Sequence, residues 1–162
     1  MNDFEQLYRQ YASAVLRFAW GLCGDRAAAE DIVSETFVRL LTKAPRIETR
    51  TALAYLLAAA RNTYLNGQRR RRREIPLSDE LPATEHDPDS RLDDRKRLEA
   101  VLGELADLPE GERAALLLRV DHELSYDDVA AALEISIAAA RVRVHRARLR
   151  LASALEQRGR ES

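Results

Sequence analysis

Residues 124–151, LSYDDVAAALEISIAAARVRVHRARLRL, decide the fold. Ser125 precedes an apolar-periodic run and has Asp128 three residues later. This is a near match to the capping box, in which a hydroxyl and a carboxylate satisfy the free N–H groups of a first helical turn. A helix is therefore expected from Tyr126, with Val129, Ala130 and Leu133 on one face. The run breaks at residues 134–136, where Ser136 is placed to cap a second helix. Two helices across so short a turn make a helix-turn-helix. On the second helix Ile137, Ala140, Val144, Ala147 and Leu151 form an apolar stripe, and Ala138, Ala139, Val142, Arg143, Arg146 and Arg150 face away from it. Small residues at the helix start allow close approach to base edges, and arginines reach guanine edges or phosphates, so this face suits a DNA major groove. No acid balances the arginines between positions 137 and 155, as a merely solvated helix face would require.

The formal net charge of −1 over 162 residues conceals a strong segregation. Residues 1–73 carry 13 Lys or Arg against 7 Asp or Glu, and residues 136–162 carry 7 against 2. Between them, residues 74–94 carry 1 against 8 and residues 95–135 carry 5 against 10. Two basic blocks separated by acidic ones point to nucleic acid at two places, which the overall charge alone would miss. No apolar run is long enough for a membrane span and no signal-peptide pattern opens the chain, so a cytoplasmic protein without membrane insertion is expected. The single cysteine, Cys23, excludes an internal disulfide and reads as a small core residue. His86, His122 and His145 lack metal-ligand spacing, so no metal or other cofactor is expected.

Upstream, Asn2 or Asp3 caps a first helix with Phe4, Leu7, Tyr8, Tyr11, Val15, Phe18 and Leu22 at helical spacing. Asp25 caps a second, whose Ala29, Ile32, Val33, Phe37, Leu40 and Leu41 are expected to pack inward, leaving Glu30, Asp31, Ser34, Glu35 and Arg39 outside. An acidic amphipathic face of this kind is either solvated or docked on a partner helix. After a polar connection a third helix carries Leu53, Leu56, Leu57, Ala60, Tyr64 and Leu65 and runs into five consecutive arginines, 69–73. Their mutual repulsion calls for an anionic partner, and phosphate is the obvious one. Residues 74–92, with three prolines and many acids, read as a flexible acidic linker. Beyond it a helix with Leu92, Leu98, Val101, Leu102 and Leu105 as its stripe, and another opening at Pro109, complete a four-helix domain with the helix-turn-helix. No alternating strand pattern occurs, so the expected class is all-α: two small helical domains, 1–73 and 93–158, on either side of the linker.

Four segments in this order, AEDIVSETFVRLL, ARNTYLNGQRRRRRE, LPEGERAALLLRV and the helix-turn-helix stretch, give the chain a resemblance to the extracytoplasmic-function group of bacterial sigma-70 type sigma factors. The resemblance covers nearly the whole chain. It implies a sigma factor, not an enzyme, whose partners are core RNA polymerase, promoter DNA and an anti-sigma factor, with no small-molecule substrate. It implies that Asp31, Ser34, Glu35 and Arg39 bind core polymerase. Arg46, Thr49, Arg50, Arg61, Asn62, Gln68, Arg69 and Arg70 would meet the minus-ten element, the first three in a loop that captures a flipped base. Ser136, Ala138, Ala139, Arg141, Val142, Arg143, His145 and Arg146 would meet the minus-thirty-five element. Two departures stand out: Glu134 where the family often has glycine, and an alanine-rich start to the second helix in place of a Gly-Thr-Val-Lys-like one, so the family's promoter preference does not carry over.

Two other functions compete. A sigma-like decoy would sequester an anti-sigma factor without binding DNA, but has no need of arginines at both expected DNA faces. An independent repressor would need dimerisation to double its half-site contacts, and the first domain offers no evident two-fold interface.

Overall fold

A computed structural model describes residues 3–43, 49–73 and 92–161. Seven α-helices account for nearly all of them: α1 Asp3–Cys23, α2 Arg26–Thr42, α3 Ala52–Arg73, α4 Leu92–Ala106, α5 Glu110–Leu116, α6 Tyr126–Leu133 and α7 Ile137–Glu161. A π-helical turn, Leu117–Asp121, prolongs α5. Arg46 and the expected linker at 74–91 lie outside the described residues, whereas Leu92 already belongs to α4.

The first half is a three-helix bundle built where the apolar spacing placed it. Val15, Phe18 and Leu22 of α1, Ile32, Val33 and Phe37 of α2, and Leu56, Leu57 and Ala60 of α3 form its core. Asp25 caps α2 by accepting the N–H of Ala27 at 3.1 Å, and Gly24, in the left-handed region at φ +79°, reverses the chain before it. A buried hydroxyl pair, Thr36 and Thr63, joins α2 to α3 at 3.2 Å, and each hydroxyl also reaches a carbonyl in its own helix. Leu41 does not pack inward as the periodicity suggests and is 62% exposed. Phe37 already meets Phe4 and Tyr8 near the start of α1, so the last turn of α2 overhangs its partner.

In the second half the expected caps form. Ser125 Oγ accepts the N–H of Asp128 at 3.1 Å, and Ser136 Oγ accepts that of Ala139 at 3.0 Å. Between the two helices Glu134 sits in the left-handed region (φ 56°, ψ 46°). There Glu134 N–H donates to Ala131 and Ile135 N–H to Ala130, the two bonds of a Schellman motif. Ala140, Val144 and Ala147 are buried beneath α7, but Ile137, in its first turn, is exposed. Of the stripe expected on α4, Leu105 is buried and Leu102 half-buried, while Leu98 and Val101 are exposed, because α4 joins the core through its C-terminal turn.

The sequence left the arrangement of the two halves open, and the structure packs them together with one continuous buried cluster. Gly21 of α1 lies so close to Leu117 that an added Cβ would stand 2.9 Å from its Cδ1. Arg17 Nε donates to Asp121 at 2.9 Å, Arg61 forks onto Glu110 at 2.7 and 2.8 Å, and Arg113 Nη1 donates to the Leu22 carbonyl at 2.7 Å.

A left-handed conformation costs a side chain about 1–2 kcal/mol, partly offset for glycine by its freer unfolded chain. Glu134→Gly should therefore stabilise the protein by about 0.5–1 kcal/mol, and Glu134→Val should destabilise it by a similar amount, read from midpoints of urea unfolding.

Candidate nucleic-acid interface

Cap and core together fix which side of α7 faces out. With Ala140, Val144 and Ala147 buried, helical spacing puts Ala138, Arg141, Val142, His145 and Arg146 on the opposite face, and all five are exposed. The remaining three expected readers lie elsewhere. Ser136 uses its hydroxyl as the cap. Ala139 and Arg143 are half-buried on the flank turned toward α5. Arg143 lays its guanidinium on Gly111, where a Cβ would stand 2.6 Å from Nη1. Arg150 shares this flank, with Nε 2.8 Å from Glu112 Oε2, a charge contact without hydrogen-bond geometry. A wheel drawn from the apolar stripe alone groups Arg143 and Arg150 with the outer face, because it contains no information about where α5 lies.

Two residues absent from the sequence-based set shape this face. The Tyr126 ring carries Arg119 at 4.3 Å and Arg141 at 5.3 Å, a double cation–π contact. Arg119 is held from below by the Leu124 carbonyl at 2.9 Å. The tyrosine thus positions Arg141 over the start of α6. The signal was its place directly after the capping serine.

The residues expected at the minus-ten element divide into two groups. Arg61, Asn62, Gln68 and Arg69 share one face of α3 by spacing, whereas Arg70 turns to α2 and donates to Glu35 at 3.2 Å. In the segment before α3, Thr49 Oγ1 donates to the Thr51 carbonyl, and Thr51 in turn caps α3 through the Ala54 N–H. Arg50 is held by the second half: its side chain lies 3.1 Å from Asp127, and its backbone N–H donates to the buried Asp128 at 2.8 Å. The carboxylate that the sequence assigns to a capping box thus reaches across to α3's entry. Glu110 and Asp127 had no part in the sequence reading. Each is a first-turn acid that helix-dipole arguments alone explain.

On α2, Asp31 and Ser34 are exposed, and Glu35 pairs with Arg39 at 2.9 Å. Val38, 56% exposed, and Leu41 continue the line of Asp31 and Ser34, so the face is apolar at one end and acidic at the other. A groove of about 650 Å³ runs beside it between α2, α3 and α4, bordered by Asp31, Glu35, Tyr64, Arg70 and Leu102. Cys23 opens onto the same groove half-buried, its thiol donating to the Asp25 carbonyl, and burial pushes its pKa up. Among the described residues no helix is long and apolar enough to cross a membrane.

With this geometry in place, the comparisons define the class. Residues 7–74 match the family model Sigma-70 region 2, and residues 98–151 match Sigma-70, region 4. The chain belongs to the extracytoplasmic-function sigma factors of the sigma-70 family. It is 30% identical to the ECF RNA polymerase sigma factor SigE of Mycolicibacterium smegmatis over its full length, spanning 65% of that protein. It is also 30% identical to the RNA polymerase sigma factor YlaC of Bacillus subtilis, across 93% of this chain and 90% of that one. The sigma factor RpoE of Bartonella quintana, solved in complex with the anti-sigma factor NepR, superposes with a TM-score of 0.75 at 27% identity, over 96% of this chain and 98% of that chain.

His122 sits where the halves meet, edge-on to Phe18 at 5.7 Å, with Asp121 and Arg17 beside it. Burial lowers its pKa below the ordinary imidazole value, against the opposing pull of Asp121. The neutral ring is therefore the one the fold favours. Its contribution is complete above about pH 6.5 and is lost as the pH falls below that value. Thermal melts should show His122→Asn losing less stability than the parent between about pH 7.5 and about pH 5.5.

Proposed function

We propose that the chain acts as a promoter-recognition subunit: region 2 docks on core RNA polymerase through α2 and meets the minus-ten element through α3 and the segment before it, and region 4 reads the minus-thirty-five element with α7. The domain limits are those of the sequence reading, 1–73 and 93–158. The observation that carries this is the face of α7 formed by Ala138, Arg141, Val142, His145 and Arg146, small at its start, cationic beyond, and presented by a capped helix-turn-helix. Such a face has the width and charge for a major groove. Asp31 and Ser34, followed by exposed Val38 and Leu41, supply an amphipathic docking face on α2. An anti-sigma factor is a further partner. Support comes from the superposition on RpoE, which its solved structure holds in complex with NepR.

The five-residue face separates two arginines that the sequence treats alike. Arg146→Ala should weaken promoter binding by the holoenzyme by about 1–3 kcal/mol where it reads a base, or lower the salt slope by about one where it meets phosphate. Arg143→Ala should change either quantity by less, and the reverse order in a fluorescence-anisotropy titration would overturn the assignment of the face. Asp31→Arg should reduce co-purification with core polymerase at unchanged helicity; undiminished holoenzyme formation would remove the docking claim.

A further inference from the structure

The centre line of α7's outward face is apolar, and the chain's own packing gives no reason for it. At a helical spacing of about 100° per residue, Val142 stands within about 15° of the point opposite the buried Ala140, Val144 and Ala147, and Ala138 lies one turn earlier, about 30° to the other side. Arg141 and Arg146 flank this line on opposite sides, the first leaning over the Tyr126 ring at 5.3 Å. Val142 is 45% exposed and stands outside the buried cluster. A β-branched side chain at an exposed helical position also lowers helix propensity, so neither core nor local structure calls for valine there. Residues 137–151 contain no Asn, Gln, Asp, Glu, Ser or Thr, and Ser136 uses its hydroxyl as the cap. The face therefore lacks the amide that reads adenine and the carboxylate that reads cytosine through the major groove. What remains is arginine, histidine and aliphatic carbon. Guanine's paired acceptors suit the arginines, and the one feature of a base edge that suits aliphatic carbon is the C5 methyl of thymine.

We propose that Val142 is a specificity-determining residue of α7, which packs its methyl groups, with Ala138 beside it, on the C5 methyl of a thymine in the minus-thirty-five element. This rests on the placement of α7 in the major groove made under Proposed function. A recognition helix meets base edges through its first turns, and Val142 lies in the second turn of α7. Selection works by exclusion as well as by contact. Cytosine at the same position would bury an amino group against Val142 with no acceptor on the face to pair it.

The experiment uses holoenzyme formed from the full chain and core polymerase, with a duplex DNA library of random sequence as probe. Sequencing of the bound fraction should show an upstream motif containing thymine. Replacing that one thymine by deoxyuridine removes only the C5 methyl and should weaken binding about fourfold, the worth of one buried methyl group. Val142→Ala should weaken binding to the thymine duplex by a similar factor and respond no further to deoxyuridine, so that the two changes together cost no more than either alone. Val142 is exposed, so this substitution leaves the core of α7 untouched. An upstream motif without an A·T pair, a thymine preference that deoxyuridine leaves unchanged, or a methyl effect of equal size in Val142→Ala overturns the proposal while leaving the placement of α7 intact. Failure of the holoenzyme to enrich any upstream motif overturns that placement and the proposal with it.

Discussion

One guanidinium ties together helix ends from both halves. Arg113, in the last turn of α5, donates Nε to the Leu105 carbonyl at 2.8 Å, Nη2 to Leu108 at 2.8 Å, and Nη1 to Leu22 at 2.7 Å. The carbonyls at the end of a helix have no partner within it, and leaving them dry would cost about 1–3 kcal/mol each. Arg113 supplies donors to the ends of α1 and α4 at once, and so fixes where α5 begins relative to both. Everything downstream inherits that placement: Glu110 faces Arg61, Glu112 faces Arg150, and Leu117 meets Gly21.

The features legible in the sequence are those set by neighbours along the chain. Asp25, Ser125 and Ser136 cap as their positions require, because a cap depends on the N–H groups of residues two or three further on. The cores of α1, α2, α3 and α7 follow from apolar spacing. Contacts between elements distant in sequence were not legible. Asp128 fits a capping box, yet its carboxylate accepts a hydrogen bond from Arg50, 78 residues away. Arg143 and Arg146 look equivalent on a wheel, and only the position of Gly111 distinguishes them. The overhang of Leu41 and the exposure of Leu98 and Val101 on α4 likewise depend on where partner helices stop, which a periodic pattern does not contain.

The same limit governs charge. Segregation of basic and acidic blocks along the chain suggested two nucleic-acid surfaces, and the acidic stretch between them read as a flexible linker followed by helices with acidic caps. In the folded chain several of those acids, Glu110, Asp121 and Asp127, each meet an arginine of the opposite half. The near-neutral total is thus achieved in part by pairing across one seam.

The π-helical turn at Leu117–Asp121 has a consequence for how this chain tolerates change in length. A π turn holds one residue more than the α-helix it interrupts, and here it carries Asp121 toward Arg17 and His122 onto Phe18. Losing one residue would let the backbone rewind into regular helix and swing both side chains by about 100° around the axis. The helix-turn-helix that follows could keep its own caps and core, yet its handhold on α1 would be gone. Replacements within this stretch alter contacts one at a time, whereas a one-codon deletion would turn Asp121 and His122 away from α1 together and leave the contacts of α5 with α1 and α3 in place.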